Sequence, residues 1–199
     1  MLLTGLVLAQ SDSGTYDDAT HIYRNRTYAF TCKVPAGWVL RTEQLKPDGA
    51  ADNQVLLAAF ERPPEATSPT PVSTILIASE SQSAYPGLKT AEDYFGPLAE
   101  VITVKGFRAV NDPYPFPVGA TQLIREDYSH EQKDRPTTYQ SALVLLSRSS
   151  ILSFTFLADS EDDVDSLIEN LSFTSNPAPK SHPKTAPVKK TNAPPNHPS

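Results

Sequence analysis

The sequence predicts an α+β domain built on antiparallel strands. Several apolar runs alternate with a period of two or are short and rich in β-branched residues, which is typical of strands. Two other segments space their apolar residues as amphipathic helices do. Turn-forming Pro, Gly, Asn and Asp residues separate these runs. At 199 residues, the chain is long enough for one domain with a single core.

The clearest strand is predicted at residues 27–34 and ends in a turn. Its alternate apolar residues share one face: Phe30, Cys32 and Val34. Pro35 has no backbone N–H and Gly37 permits a positive φ, so the strand stops there. Trp38, the only tryptophan of the chain, follows at once. We expect its ring to close one end of the core.

The other strands are predicted by shorter runs of the same kind. They lie at residues 20–24, 54–60, 74–78, 107–110, 120–128, 138–147 and 151–158. Residues 47–49 read Pro-Asp-Gly and predict a turn, and residues 63–71 form a loop rich in Pro, Ser and Thr. Short polar spans separate the last three strands, so an antiparallel meander is the simplest topology.

Two helices are predicted, each by a start signal and an apolar stripe. Thr90 is a natural N-cap, and the stripe that follows it ends at Ile102. Pro97 interrupts this stripe, so we expect a kinked helix or two short ones. Ser160 is the N-cap of the second helix, whose buried stripe we expect to be Val164, Leu167, Ile168 and Leu171.

The two ends of the chain differ in composition from its middle. Residues 1–19 begin with an apolar run that is too short to span a bilayer, followed by a polar lead-in. Residues 7–9 read Val-Leu-Ala and fit the cleavage pattern of a truncated secretory signal, although no basic residues precede them. Residues 174–199 are rich in Pro and Lys and are predicted to be a disordered tail. The folded domain is therefore placed at residues 20–173.

This arrangement predicts export to the periplasm or out of the cell. If Met1 is the true start and no signal operates, the expected location is the cytoplasm instead. No transmembrane span is predicted.

The charge is uneven along the chain. The net charge is −6, and the tail contributes four lysines and no acid, so the body is more acidic than the whole. Such a body argues against nucleic-acid binding, which needs a basic surface to neutralise phosphates. The tail lysines are candidates for contact with an anionic lipid, a cell-wall polymer or an acidic partner: Lys180, Lys184, Lys189 and Lys190. The alternative is that the tail is only a solvated spacer.

Few residues of the chain have catalytic potential. Cys32 is the single cysteine, which excludes an intrachain disulfide and predicts a small buried hydrophobe. The best acid–base or metal candidate is the stretch 126–131, which includes Glu126, Asp127 and His130. Its carboxylates alternate between opposite faces of a strand, so we expect a solvated loop rather than a site. We therefore expect no catalytic residue, no metal site, no cofactor and no enzymatic activity.

One segment is better suited to recognition. Prolines alternate with aromatic residues in what we interpret as a stiff loop: Pro113, Tyr114, Pro115, Phe116 and Pro117. A loop stiffened in this way loses little entropy when it binds a partner, so it is the candidate partner-binding loop. The alternative is that it covers the core.

Four features of the sequence belong together: Tyr28-Ala29-Phe30 leading to Val34-Pro35-Ala36-Gly37-Trp38, the helix start Thr90-Ala91-Glu92-Asp93-Tyr94, Gly119-Ala120 and the closing helix. With these features the chain resembles the Mog1/PsbP-like superfamily, in the form of its small bacterial exported members. The resemblance covers about residues 20–173. It implies an antiparallel sheet of about six or seven strands, flanked by helices in an α/β/α sandwich, and a non-enzymatic role.

The sequence thus leads us to expect a non-catalytic, exported binding or accessory module. Its expected partner is an unknown protein or a cell-envelope polymer. Two alternatives remain open: a surface or structural protein held by its cationic tail, and an enzyme with an unrecognised site.

Overall fold

The computed structural model describes residues 14–46, 53–63 and 72–174. In these ranges, twelve strands form two antiparallel sheets, accompanied by two α-helices. The α+β class is confirmed, whereas the expected six or seven strands in one sheet are too few. Several predictions fall outside the described residues: the signal segment before Gly14, the turn at residues 47–49, most of the loop at 63–71 and the four tail lysines.

The smaller sheet has four strands. In spatial order they are β1 (Gly14–Asp17), β2 (Ile22–Asn25), β3 (Phe30–Lys33) and β12 (Leu171–Phe173). The first strand of the described residues therefore begins at Gly14, inside the segment predicted to be a polar lead-in. β3 is shorter than predicted because Ala29 has a φ of 56° and Asn25 Oδ1 accepts a hydrogen bond from the Tyr28 amide at 3.0 Å. These residues form a turn before the strand.

The larger sheet has eight strands. In spatial order they are β4 (Val39–Leu40), β5 (Asn53–Phe60), β6 (Thr74–Ser81), β11 (Ser150–Ala158), β10 (Thr138–Ser147) and β9 (Thr121–His130), with β7 (Arg108–Ala109) and β8 (Tyr114–Val118) both paired to β9. The predicted meander of the last three long strands is confirmed, since β9 pairs with β10 and β10 with β11. β7 and β8 form one edge of this sheet, and they pair with successive parts of β9.

The first helical region is a 3₁₀ turn followed directly by one α-helix, and the division expected at Pro97 is not found. A 3₁₀ turn spans Glu92–Tyr94, and α1 spans Phe95–Val104. Thr90 Oγ1 accepts a hydrogen bond from the Asp93 amide at 3.3 Å, as the predicted cap should. Pro97 lies in the first turn of α1, where a missing N–H costs little.

The second helix, α2, spans Glu161–Ile168 and is shorter than predicted. Ser160 caps it by accepting a hydrogen bond from the Asp163 amide at 3.1 Å. Leu171, which was expected in the helical stripe, starts β12 instead. Asn170 ends the helical region because its amide bonds to the Leu167 carbonyl and its side chain bonds to the Ser166 carbonyl.

The two faces of the larger sheet are covered differently. One face packs against α1, whose Phe95 and Ile102 belong to one buried cluster with Val144 and other residues of the sheet. The other face packs against the smaller sheet and α2, and its buried core includes Phe30, Cys32, Val34, Phe154 and Phe156. Trp38 packs against this core while staying partly exposed, which agrees with the expected role at its end. The expected α/β/α sandwich is therefore corrected: the smaller sheet shares the second outer layer with α2.

In residues 14–46, 53–63 and 72–174, none of the helices is long and apolar enough to cross a membrane.

Candidate functional site

The segment predicted as a partner-binding loop is largely an edge strand. β8 pairs with β9 from Tyr114 opposite Arg125 to Val118 opposite Thr121, and only Pro113 precedes it. The loop was expected because proline normally interrupts a sheet. This interpretation was wrong, since residues 114–118 form a strand. Successive residues of a strand direct their N–H groups to opposite edges, so Pro115 and Pro117 occupy the outward positions, where no ladder bond is lost.

The side chains of β8 alternate in exposure. Tyr114 and Phe116 are half-buried, whereas Pro115 and Pro117 are exposed. The rings of Tyr114 and Phe116 meet edge to face, with centroids 6.4 Å apart and an angle of 81° between their planes. The strand therefore presents two aromatic rings that support each other and two exposed proline rings.

Arg125 fixes this aromatic pair from the neighbouring strand. Its guanidinium carbon lies 5.0 Å from the centroid of the Phe116 ring, a cation–π contact. Its Nε donates to Asp127 Oδ1 at 2.7 Å, and its Nη2 donates to Asp165 Oδ1 at 2.7 Å. Only 11% of the Arg125 side chain and 20% of the Asp127 side chain are exposed, so their bond is largely shielded from solvent, whereas Asp165 is 57% exposed. Arg125 thus links β8, β9 and α2.

Asp127 is the centre of a hydrogen-bond network. Besides Arg125, it accepts bonds from Ser141 Oγ, from Asn111 Nδ2 at 2.8 Å and from the Tyr114 hydroxyl at 3.1 Å. Burial raises the pKa of Asp127, but the bonds from Ser141, Asn111 and Arg125 outweigh it, so the net pKa lies below its usual value. A carboxylate with so many donors holds the strands together and is a poor proton acceptor.

Tyr114 is held in its protonated form by the same network. Burial and the charge of Asp127 raise the pKa of Tyr114 to about 12. Its hydroxyl therefore stays a hydrogen-bond donor at neutral pH, and its contact with Asp127 keeps β8 in place.

A groove lies between β8 and α2, next to Phe116. Its volume is about 390 Å³. Apolar side chains form its walls: Phe116, Val118, Ile168 and Leu171. Three charged side chains border it: Arg125, Asp165 and Glu169. We call this feature the β8–α2 groove. A smaller cavity of about 110 Å³ lies on the other side of the Arg125–Asp165 ion pair, beside Asp127 and Ser141.

The acid–base candidates at 126–131 do not come together. Glu126 faces the α1 side of the sheet, is 6% exposed and accepts a bond from the Tyr128 hydroxyl, while Asp127 faces the other side. Burial raises the pKa of Glu126, and the charges of Asp112 and Asp127 act in the same direction, although the Tyr128 bond opposes them. The His130 ring packs on the Phe107 ring, with their centroids 5.0 Å apart.

Metal-ligating and nucleophilic side chains are likewise dispersed. Within the part of the chain that the structure describes, no group of three or more His, Cys, Asp or Glu side chains could hold a metal ion. Cys32 is fully buried, and burial raises its pKa to about 12, so its thiol is unreactive at neutral pH. His21 pairs through Nδ1 with the Tyr16 hydroxyl at 3.1 Å.

Sequence reasoning missed the residues that hold the site together, namely Arg125, Asn111 and Asp165. A partial signal was present, since Leu123, Arg125 and Asp127 share one face of a predicted strand. An arginine and an aspartate two residues apart on the inner face of a strand indicate a paired charge. Their partner Asp165 lies on a helix forty residues later, which no local pattern reveals.

No family model matches this chain. None of the curated proteins matches it either. Among solved structures, cyanobacterial PsbP (CyanoP) from Synechocystis sp. PCC 6803 is similar, with a TM-score of 0.50 and 13% identity. That match covers 85% of this chain and 100% of the PsbP chain.

Two further structures show weaker similarity. LpqN, involved in cell envelope biogenesis of Mycobacterium tuberculosis, matches with a TM-score of 0.43 and 15% identity, over 73% of this chain and 83% of LpqN. PA94 from Pseudomonas aeruginosa, a protein of unknown function, matches with a TM-score of 0.39 and 16% identity, over 65% of this chain and 87% of PA94. The match to PsbP spans that whole chain, and this protein therefore has the Mog1/PsbP-like fold.

Proposed function

We propose that the protein is a non-catalytic binding or accessory module and that its recognition surface is β8 together with the β8–α2 groove. The observation that carries this proposal is the position of Phe116. Its ring borders a groove of about 390 Å³ and is held by Arg125, which is itself fixed by two carboxylates. An aromatic side chain fixed beside an apolar groove is typical of a binding hot spot.

Preorganisation favours this surface over other parts of the molecule. A side chain that is already immobile before binding loses little conformational entropy in the complex. Pro115 and Pro117 stiffen the backbone of β8, and the network around Asp127 holds the strand against β9. A partner that packs against Phe116 and the prolines would therefore bind with only a small loss of conformational entropy on this side of the interface.

The polar groups near the groove are occupied by hydrogen bonds and ion pairs, which supports a non-enzymatic role. A catalytic acid, base or nucleophile has to be accessible to a substrate and have a pKa suited to its task. Near the groove, Asp127 is occupied by several donors and Tyr114 is held protonated. Arg125 uses Nε and Nη2 for its two ion pairs. The rival proposal of an enzyme would need reactive groups of another kind at this surface.

The proposed setting is the cell envelope, after export to the periplasm or the exterior. It is supported by the apolar run at the start of the sequence and the Val-Leu-Ala pattern at residues 7–9. The proposed partner is a protein or a cell-envelope polymer. In the alternative of a structural surface protein, retention would depend on the lysine-rich tail and not on the β8–α2 groove.

The test compares ligand retention by three immobilised full-length chains: wild type, Phe116→Ala and Val101→Ala. Val101 is 56% exposed on α1, on the opposite side of the sheet, and serves as the matched control. Envelope proteins and purified cell-wall polymer are applied separately. We expect a ligand that the wild type and Val101→Ala retain and that Phe116→Ala loses by about tenfold or more. Equal retention by all three chains would reject this surface.

Because Phe116 also packs against the core, its variant needs a second test of the same surface. Glu169→Lys changes an exposed residue at the border of the groove and should leave the fold intact. Its thermal midpoint is compared with that of the wild type before the retention assay. A change in retention with Glu169→Lys, but not with Val101→Ala, would support the β8–α2 groove independently of Phe116.

A further inference from the structure

We propose that the β8–α2 groove binds the lysine- and proline-rich segment 180–190 of the same chain, which acts as a tethered ligand that other partners must displace. This inference rests on the proposed function, since it names an occupant for the same surface. It is carried by the point where the described chain ends, by the length of the connecting segment and by the charge at the groove.

The described chain ends close to the groove. β12 is an edge strand of the smaller sheet and packs beside β8. Leu171, its first residue, lines the groove, and Thr174 follows its last residue. The Thr174 amide and hydroxyl both donate to the Ala29 carbonyl, at 2.9 and 3.0 Å. The point from which the next residues continue is therefore fixed about three strand residues, roughly 10 Å, from the groove wall.

The connecting segment has a suitable length. Five residues, 175–179, separate Thr174 from Lys180, and two of them are proline. Five residues reach at most about 16 Å at about 3.1 Å per residue, a distance that is enough to return to the groove. A short tether also gives a high effective concentration, on the order of millimolar, so even weak contacts are populated.

The charge at the groove is complementary to the tail. Glu169 is the C-cap of α2, is exposed and has no basic residue beside it in the last turn. The carboxyl end of a helix carries partial negative charge, so a cation is favoured there. Asp165, 57% exposed, also lies at the border, but its Oδ1 is bound by Arg125, so Glu169 is the main acidic contact that we assign to the tail. The tail supplies four lysines and no acid.

The apolar part of the groove suits the remaining residues of the segment. The segment contains Pro183 and Pro187, and Pro179 directly precedes it. Proline-rich extended segments bind grooves lined by aromatic side chains, because their rings pack on the aromatic face and little chain entropy is lost. Phe116 supplies that face next to Ile168 and Leu171. One segment thus matches both the apolar walls and the acidic border.

The test uses a nitroxide spin label on the full-length chain at Ala186→Cys. Cys32 is fully buried, so the label reacts only with the new cysteine. Paramagnetic broadening of amide signals is then measured by NMR. The matched control carries the same label and the four changes Lys180→Gln, Lys184→Gln, Lys189→Gln and Lys190→Gln. It keeps the length and the prolines of the tail and removes only the charge.

We expect broadening at Ile168, Glu169 and Leu171 to be about threefold greater with the lysine tail than with the glutamine tail. It should decrease when the salt concentration is raised from about 20 mM to about 300 mM, because exposed ion pairs are screened. The amides of Val101 and Val104 on α1 should respond equally in both chains. Equal broadening at the groove with the two tails would overturn the inference.

A mixed sample distinguishes a second copy from the chain's own tail. Spin-labelled chain without ¹⁵N is mixed with ¹⁵N chain that carries no spin label. Broadening at the groove in this mixture would show that another copy binds there, which also overturns the inference.

The retention assay separates the two proposals. If the tail effect is absent but Phe116→Ala still loses the ligand, only this inference fails; if the tail effect is present but Phe116→Ala retains ligand like the wild type, the proposed function fails.

Discussion

The guanidinium carbon of Arg125 lies 5.0 Å from the centroid of the Phe116 ring, so a cation on β9 positions the aromatic side chain that borders the β8–α2 groove. Arg125 is in turn bound by Asp127 and Asp165, each at 2.7 Å. The ring is thereby positioned by a cation that two carboxylates hold in place. An edge strand that also contains two prolines gains order from this contact.

Replacing Arg125 tests how much this contact stabilises the fold. In Arg125→Met, Asp127 stays in a shielded position without its cation, and we expect the free energy of unfolding to fall by about 2–4 kcal/mol. Urea denaturation measures it. Lys46→Met is the control, because Lys46 pairs with Glu43 at 2.7 Å at an exposed position, where the loss should be below about 0.5 kcal/mol. A similar loss in both variants would contradict the assigned role of Arg125.

Asp127 predicts a dependence of stability on acid pH. Because its pKa is lower in the fold than in the unfolded chain, its contribution is complete above the unfolded value of about 3.9 and is lost as the pH falls through the folded value. Asp127→Asn should therefore be less stable than the wild type at neutral pH, with a difference that shrinks below about pH 4. Urea unfolding at several pH values measures this difference. A constant gap would argue against a lowered pKa.

Glu126, the neighbour of Asp127 on the opposite face of the sheet, predicts the opposite dependence of stability on pH. Its pKa is raised by burial, so stability is lost as the pH rises from the unfolded value of about 4.3 through the folded value. Glu126→Gln keeps an acceptor for the Tyr128 hydroxyl and removes the charge. We expect it to be more stable than the wild type at neutral pH and equally stable near pH 3. Thermal unfolding at both pH values decides this, and destabilisation at neutral pH would contradict it.

The prolines of β8 predict protection against self-association. Pro115→Thr restores an outward N–H on an exposed edge strand, and such edges pair with other chains. We expect sedimentation velocity to show dimers or larger species that the wild type lacks at equal concentration. Pro113→Thr, just before the strand, is the control and should remain like the wild type. Association by both variants or by neither would show that Pro115 does not protect this edge.

The part of the fold that was predicted correctly rests on long, regular patterns. β10 spans Thr138–Ser147, as its apolar run predicted, and Ser160 caps α2 as its side chain and the acidic first turn indicated. A run of nine or ten residues repeats its period several times, and a cap is a local hydrogen bond. Both signals depend only on neighbours in the sequence.

The missed elements are short or depend on distant residues. β1 has four residues and β12 has three, too few to establish a period, and each exists because it pairs with the smaller sheet. β8 was interpreted as a loop because its prolines are tolerated only at an edge, which is a property of the assembled sheet. The ion pair between Arg125 and Asp165 likewise requires the tertiary fold.

Hydrogen exchange of the complex tests the central claim, the binding role of the β8–α2 groove, most directly. The ligand retained by the wild-type chain is purified and added back, and deuterium uptake is compared with and without it. We predict slower exchange in β8 and in residues 165–171, with α1 unchanged. Protection confined to α1 or to the β5 side of the sheet, with β8 and residues 165–171 exchanging as in the free chain, would contradict it.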